Sequence, residues 1–426
     1  MGQLEKHNSD IQTLLGNSER LEPMRRKRKS PIPKYFQQIR GQACSLHAAL
    51  SRAWRCDCSL THAAKLRLEK RVKSDKMGVV DVVDTQDPNT VKFSVFFSPK
   101  LQSESSTETL VPTEAEWYAT EITMTESGPD AARKALPSTE TDTRRVSFVS
   151  SGPKSAASSV IGDAPEIIDL CSALKQNLKC RKTLGYLRDG PGRLHTIDLA
   201  AYPQSLSSNM YRVLNLESLL FRSADTSDKS ERNKVTLPRR TRLSIAVVLA
   251  NSLLQLHTGP WLAEKWGKRD IYFFQSSDGT IQTSHPFLLY NFKSNNHTSS
   301  SERNPPKLDL GQSPSRGCNS SLLSLGILIL ELWFNQTIES RPFRKNFLGP
   351  DGRENEYTDF NTAQKWQEQA MEEAGLDLHN LTRRCIYCAF GAVSQDLGDD
   401  ELRGAVYGEV VQPLERLLGR FEDVLA

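Results

Sequence analysis

Cys56, Cys58 and His62 stand close together in CDCSLTH, and thiols with an imidazole at short spacing are the donor types that hold zinc. The gap between the two cysteines is one residue, shorter than in most zinc motifs, and a fourth donor would have to come from Cys44 or His47. Buried thiols on a helix explain the same residues, so the three are candidate ligands and no metal or other cofactor is assigned. Cys385 and Cys388 in TRRCIYCAF have the gap of a redox pair, but a helical setting makes them core neighbours. In RRVSF, Ser147 follows Arg144 and Arg145 in the pattern of a phosphorylation site, where a phosphate would add about two negative charges beside the arginines. Arg25, Arg26, Lys27, Arg28 and Lys29 form a basic patch suited to nuclear import or to a polyanion, and equally to a solvated tail. The richest stretch is LLQLHTGPWLAEKWGKRDIYFF, which sets His257, Trp261, Lys265, Trp266 and Asp270 between a helix and a strand. Each has a structural reading: His257 as a cationic partner of the helix dipole, the tryptophans as core anchors, Asp270 as an acceptor for loop amides.

The elements that must position these residues follow from pattern. Residues 1–34 read as a disordered basic tail. From Tyr35 to Arg71, Ile39, Leu46, Leu50, Trp54, Leu60, Leu66 and Leu68 recur at mostly helical spacing, and VKFSVFF (Val91 to Phe97) reads as a strand, giving a first segment over 35–101. Residues 102–161 are rich in Ser and Thr and poor in large apolar residues, the composition of a linker or insertion. Within 162–426 the pattern predicts a helix from Pro165 to Gln176, a hairpin turning at Asp189-Gly190-Pro191-Gly192, and a short helix over Leu214 to Phe221. A central helix over Arg239 to His257 follows, apolar on most sides, then the strands IYFF and PFLLYNF and a polar loop from Lys293 to Ser321. An apolar helix from Leu322 to Phe334 comes next. Three helices end the chain, over Asn361 to Ala374, Leu378 to Val393 and Asp400 to Leu418, the last kinked at Pro413.

Composition narrows the class. The 426 residues are 38% hydrophobic and 25% charged with a net charge of +4, enough for a large core. The charge is polarised: residues 1–75 carry 16 Lys and Arg against 7 Asp and Glu, whereas residues 351–426 carry 7 against 16. The first residues show no apolar run of signal-peptide length, and the longest apolar run, LLSLGILILELWF, is 13 residues and holds Glu331, a core helix rather than a span of about 20. The expected location is the cytoplasm, or the nucleus if the basic patch is read, with nucleic acid bound only through that tail.

From Pro165 the order of helix, hairpin, short helix, central helix, strand pair, polar loop, buried helix and helical tail resembles a protein kinase entered at its helix C. NLESLLF is similar to the helix after the hinge, LANSLLQLH to helix E, and SLLSLGILILELW to helix F. More closely, LSRAWRCDCSLTHAAKLRLEKR, EIIDLCSAL, RLSIAVVLANSLLQLHTGPWL and SLLSLGILILELW together resemble the fungal family known as domain of unknown function 7580, over about Gln37 to Val424. The implied fold is α+β and mostly helical: a kinase-like large lobe, a reduced small lobe, a disordered tail and the Ser/Thr-rich insertion.

A kinase catalytic loop needs an aspartate to accept the substrate proton and an asparagine five residues on to bind magnesium. Aligned on that template, Lys265 takes the aspartate's place and Asp270 the asparagine's, no aspartate precedes Asn291 where the second magnesium ligand belongs, and Ser321 stands at the helix F aspartate. A Gly-rich phosphate loop is missing, VKFSVFF lacks the small-lobe lysine, and Glu166 is more simply a helix-dipole partner than a helix C glutamate. The resemblance therefore implies no catalytic residues and a non-catalytic, pseudokinase-type interaction or signalling module with a protein partner, linked to cell-death or incompatibility signalling. The alternatives are an atypical ATP-dependent phosphotransferase and a protein that associates with nucleic acid through the basic tail.

Overall fold

The computed structural model describes residues 32–56, 62–74, 80–82, 91–98, 117–126, 164–176, 182–190, 193–200, 211–224, 237–292 and 319–423. Cys58, Ser147 and the patch from Arg25 to Lys29 lie outside them.

The first helix, α1 (Ile32–Ala53), buries Ile32, Phe36, Ile39, Ala43, Leu46 and Leu50, a stripe at the three-and-four spacing of an amphipathic helix. The helical reading carried to Arg71 fails at this point: α1 stops before the buried Trp54, and His62–Arg67 is strand β1. Leu66 and Leu68 fit a period of two as well as a helical one, and the whole strand is flanked by partners, so tertiary pairing decides. Two short strands, β2 (Val72–Ser74) and β3 (Val80–Val82), form a separate ribbon. Next come β4 (Lys92–Ser98) and β5 (Tyr118–Glu126).

Strand β5 lies inside the stretch read as linker. Its Thr120, Ile122 and Met124 are buried at alternate positions, and the Thr120 hydroxyl donates to the Val95 carbonyl at 2.7 Å. Threonine counts as polar in composition yet is a good strand former, which is why the strand escapes a compositional reading.

The helix expected from Pro165 begins later, as α2 (Leu170–Gln176). Residues Pro165 to Ile167 instead run beside β6 (Thr183–Asp189), with Ile167 N–H donating to the Tyr186 carbonyl and Tyr186 N–H to the Pro165 carbonyl. Asp169 supplies the acceptor at the N-terminus of this helix, taking the Ser172 N–H at 2.9 Å. Glu166 is thus no dipole partner; it lies 3.5 Å from Arg188. Gly185 permits this approach. Its φ is +149°, and a Cβ there would sit 2.4 Å from the Pro165 carbonyl oxygen.

The hairpin of β6 and β7 (Arg193–Leu199) turns at Gly190, with φ +68°, as its turn chemistry predicts. Strand β8 (Tyr211–Asn215), which pattern did not reveal, leads into α3 (Leu216–Ala224). The central helix α4 (Arg239–Leu256) is buried on most of its circumference, as expected. The strand pair follows as β9 (Ile271–Ser276) and β10 (Phe287–Phe292). Helix α5 (Ser320–Phe334) is capped by Asn319, which accepts the Ser321 and Leu322 N–H groups, and ends at Asn335 in the left-handed conformation.

The two helices read over 361–374 and 378–393 form one element, α6 (Thr358–Tyr387), interrupted at Gly375 (φ 79°). Cys388 lies just past its end with φ 49°, so Cys385 and Cys388 are both buried but do not share a helical face. The final helix runs as α7 (Asp400–Val406), a π-turn over Tyr407–Val411, and α8 (Gln412–Asp423); the wide turn accommodates Pro413.

One antiparallel sheet of eight strands, in the order β6-β7-β5-β4-β1-β10-β9-β8, spans the chain. The strands from before the Ser/Thr-rich stretch, β4 and β1, sit side by side in its middle, β1 pairing with β10 and β4 with β5, which in turn pairs with β7. Helix α1 packs on α4, β6 and α7. A buried cluster accordingly runs from Ile32 to Leu417 and takes in residues of both 35–101 and 162–426. No helix among the described residues is long and apolar enough to cross a membrane.

Candidate functional site

The loop that leaves α4 is where the sequence placed its chemistry. His257 caps that helix, its N–H donating to the Leu253 carbonyl, and its side chain is buried. Burial first, then Arg40 and Arg403, push the imidazole down to about 4. The ring is therefore neutral at pH 7, and the cationic dipole partner expected of it is supplied from α1: Arg40 Nη1 lies 3.3 Å from His257 Nε2 and donates to Thr258 Oγ1 at 3.2 Å.

The two tryptophans are anchors. Trp261 is buried, its Nε1–H donates to the Ala43 carbonyl of α1 at 2.8 Å, and its ring meets His47, Tyr290 and Phe292 edge-on. Trp266 donates to the Ser321 carbonyl of α5 at 3.2 Å, and Ser321 Oγ returns a bond to the Glu264 carbonyl at 3.0 Å. Asp270 accepts the Gly267 N–H at 2.8 Å, as the sequence suggested, and Lys265 is exposed. The loop is pinned through Trp261 and Trp266 to the core helices α1 and α5.

Sequence reasoning missed the strongest electrostatic feature of this loop. Lys268 is buried with its Nζ 2.8 Å from Glu331 and 2.9 Å from Glu339, and Glu331 Oε1 also accepts the Ile338 N–H at 2.9 Å. Burial pulls the ammonium down, but the two carboxylates outweigh it and hold Lys268 charged. Burial pushes Glu331 up to about 7, against the pull of Lys268. Glu331 sits on a helix that is otherwise apolar, and that mismatch was the only signal available.

Three further constellations emerge only in three dimensions. Ser45 of α1 donates to Asp189, and its Oγ lies 3.0 Å from His195 Nε2. This is not a hydrolase triad: there the carboxylate orients the histidine through Nδ1, whereas here it accepts the serine's hydrogen bond and His195 Nδ1 has no partner among the described residues. The set ties α1 to the β6–β7 hairpin. Lys65 of β1 is buried with its Nζ 3.4 Å from the Trp117 ring centre and within 5 Å of those of Phe274 and Phe287; burial drives its pKa well down. Finally, Cys56 and His62 do meet, with Sγ and Nε2 2.9 Å apart, and Cys171 of α2 joins them.

A family model matches residues 33–421, from the first turn of α1 into α8. The chain belongs to the family described as Domain of unknown function (DUF7580). No curated protein matches this family member. Among solved structures it is similar to a chain of the Neurospora crassa PAN2 (WD40-CS1) complex with PAN3 (pseudokinase and C-term), at 10% identity and a TM-score of 0.26, covering 89% of this chain and 70% of that one. It is also similar to vaccinia related kinase 3, at 12% identity and a TM-score of 0.27, covering 89% and 96%. Likenesses this loose carry no argument about function.

Proposed function

We propose that this protein is a non-catalytic, kinase-like interaction or signalling module of a fungal family, acting through a protein partner in cell-death or incompatibility signalling. The element order from α2 onward supports the kinase-like reading, since helix, hairpin, short helix, central helix, strand pair, buried helix and helical tail follow in the sequence expected of that scaffold. The observation that carries the non-catalytic reading is the state of the loop after α4. At the position of the proton-accepting aspartate stands Lys265, a side chain that is a donor where an acceptor is needed. The rest of the loop is committed to structure: Trp261 and Trp266 to backbone carbonyls of α1 and α5, Asp270 to Gly267, and Lys268 to two glutamates.

The test is phosphotransfer from labelled ATP with magnesium or manganese to the protein itself and to generic protein substrates. The reading predicts no incorporation above a heat-killed control. Incorporation that persists through purification and falls in Lys265→Ala or Asp270→Ala would replace it with an atypical phosphotransferase.

A further inference from the structure

Three distant segments place metal-binding atoms at one point. Cys56 lies in the connection after α1, His62 opens β1, and Cys171 is the second residue of α2. Their donor atoms all lie within 4.8 Å of one another, with Cys56 Sγ 2.9 Å from His62 Nε2. His62 and Cys171 are buried and Cys56 is half-buried. The imidazole is fixed in place, stacked on the Trp54 indole at 4.3 Å and 10°.

The Asp169 carboxylate holds the two cysteine-bearing segments together. It accepts the Arg55 N–H at 3.1 Å, next to Cys56, and the N–H groups of Cys171 at 3.4 Å and Ser172 at 2.9 Å. The thiols are thus positioned by a common acceptor rather than by chance proximity of two loops.

We propose that Cys56, His62 and Cys171 form a zinc site, with an open fourth position for water or another donor. Two sulfurs and one imidazole nitrogen are the soft-to-borderline set that zinc favours over magnesium or calcium. Around a tetrahedral zinc ion, with bonds of about 2.3 Å to sulfur and about 2.0 Å to nitrogen, neighbouring S and N donors sit about 3.5 Å apart and two sulfurs about 3.8 Å apart. Reaching that geometry requires Cys56 Sγ and His62 Nε2 to part by about half an ångström, within the range of a χ1 adjustment at the half-buried cysteine. The bound ion would staple the α1–β1 connection to α2, adding to the sheet, the packing of α1 and the Asp169 bond that already join the two sides of the Ser/Thr-rich stretch.

The experiment uses the full chain, purified reduced, stripped with chelator and titrated with cobalt(II) and then zinc. The result expected is one tightly held metal per chain and the intense visible and thiolate charge-transfer bands of a tetrahedral cobalt–thiolate centre, displaced by zinc. Cys56→Ala, tolerable at a half-buried position, should lose the charge-transfer intensity of one thiolate. It should also weaken zinc by more than the roughly 10–100-fold that removing an outer partner costs. Cys171→Ser should do the same, and His62→Ala should weaken zinc likewise while keeping the charge-transfer intensity of both thiolates, whereas Cys44→Ser and Cys385→Ser should leave the spectrum unchanged. Wild-type protein without tetrahedral cobalt bands, or wild-type zinc affinity in folded Cys56→Ala, would overturn the assignment. So would a Cys56–Cys171 disulfide in protein purified under reducing conditions.

Discussion

Replacing Lys268 with methionine tests whether the loop after α4 is a structural keystone. The methionine refills the space left by the lysine stem but leaves the Glu331 carboxylate, 1% exposed, with the Ile338 N–H donating to it at 2.9 Å. Removing one member of a buried ion pair costs about 3–5 kcal/mol, a large share of the roughly 5–15 kcal/mol that holds a domain together. Protonation limits the loss. Glu331 is already held up to about 7 with Lys268 in place, and without the lysine its pKa rises further. A carboxyl whose folded pKa lies above its unfolded value favours the folded chain at low pH, and that advantage fades as pH climbs through the folded value. The variant should therefore lose more stability at pH 8 than at pH 6, by up to about 1.4 kcal/mol for each pH unit in which the folded group still holds its proton. Lys268→Met/Glu331→Gln removes both charges and should recover most of the loss; Glu339 can turn to solvent, being 38% exposed. Urea unfolding followed by tryptophan fluorescence reads all of this, since Trp266 lies two residues before Lys268 and Trp333 two residues after Glu331. A loss below about 1 kcal/mol in the single variant, or the same loss at both pH values, would refute the reasoning.

Other outcomes follow from the same structure. His47, His195 and His257 are each pushed down to about 4 by burial, so the unfolded chain takes up protons first as pH falls below about 6.5. Stability should drop between pH 6.5 and 4, by up to about 3 kcal/mol for each fully buried imidazole, and His195→Gln should flatten part of the melting-temperature profile; a profile without slope there would contradict the assignment. Gly185→Ala should destabilise by about 1–3 kcal/mol, because it must both hold φ +149° and clear the Pro165 carbonyl, whereas Gly190→Ala, with open space around it, should cost less in the same denaturation assay. Lys65→Met should raise the urea midpoint, since the buried amine among Trp117, Phe274 and Phe287 has no hydrogen-bond acceptor among the described residues; a lowered midpoint would mean that the cation–ring contacts outweigh its desolvation.

How much of this was legible in one dimension depended on whether a signal was local. The central helix α4, the apolar α5, the strand pair β9 and β10 and the turn at Gly190 each carry their own periodicity or turn chemistry, and each lies where pattern placed it. Strand β5 was hidden by its threonines, and β1 by leucines whose spacing suits either a helix or a strand until its neighbours β4 and β10 are known. Pro165 invited a helix start, but the free edge at Tyr186 captured the backbone first. The candidate metal site was half visible: Cys56 and His62 are six residues apart, while Cys171 comes from beyond the Ser/Thr-rich stretch. Nothing local pairs Lys268 with a glutamate 63 residues on, and the same holds for Ser45 with His195. Tryptophans in the loop were readable as anchors from size alone; which carbonyls they would seek was not.

The most direct test of the central claim is calorimetric titration of the full chain with ATP, with and without magnesium. The full chain is required because β1, β4 and β5 complete the sheet that β7 and β10 enter, so a fragment beginning after the Ser/Thr-rich stretch would leave one edge of β7 and one of β10 without a partner strand. On the proposed alignment, which puts Lys265 at the place of the catalytic carboxylate, and with the loop bound into α1 and α5, the account predicts no saturable heat at millimolar nucleotide at either of two temperatures. Saturable, magnesium-dependent binding would contradict it and make an atypical phosphotransferase the leading reading.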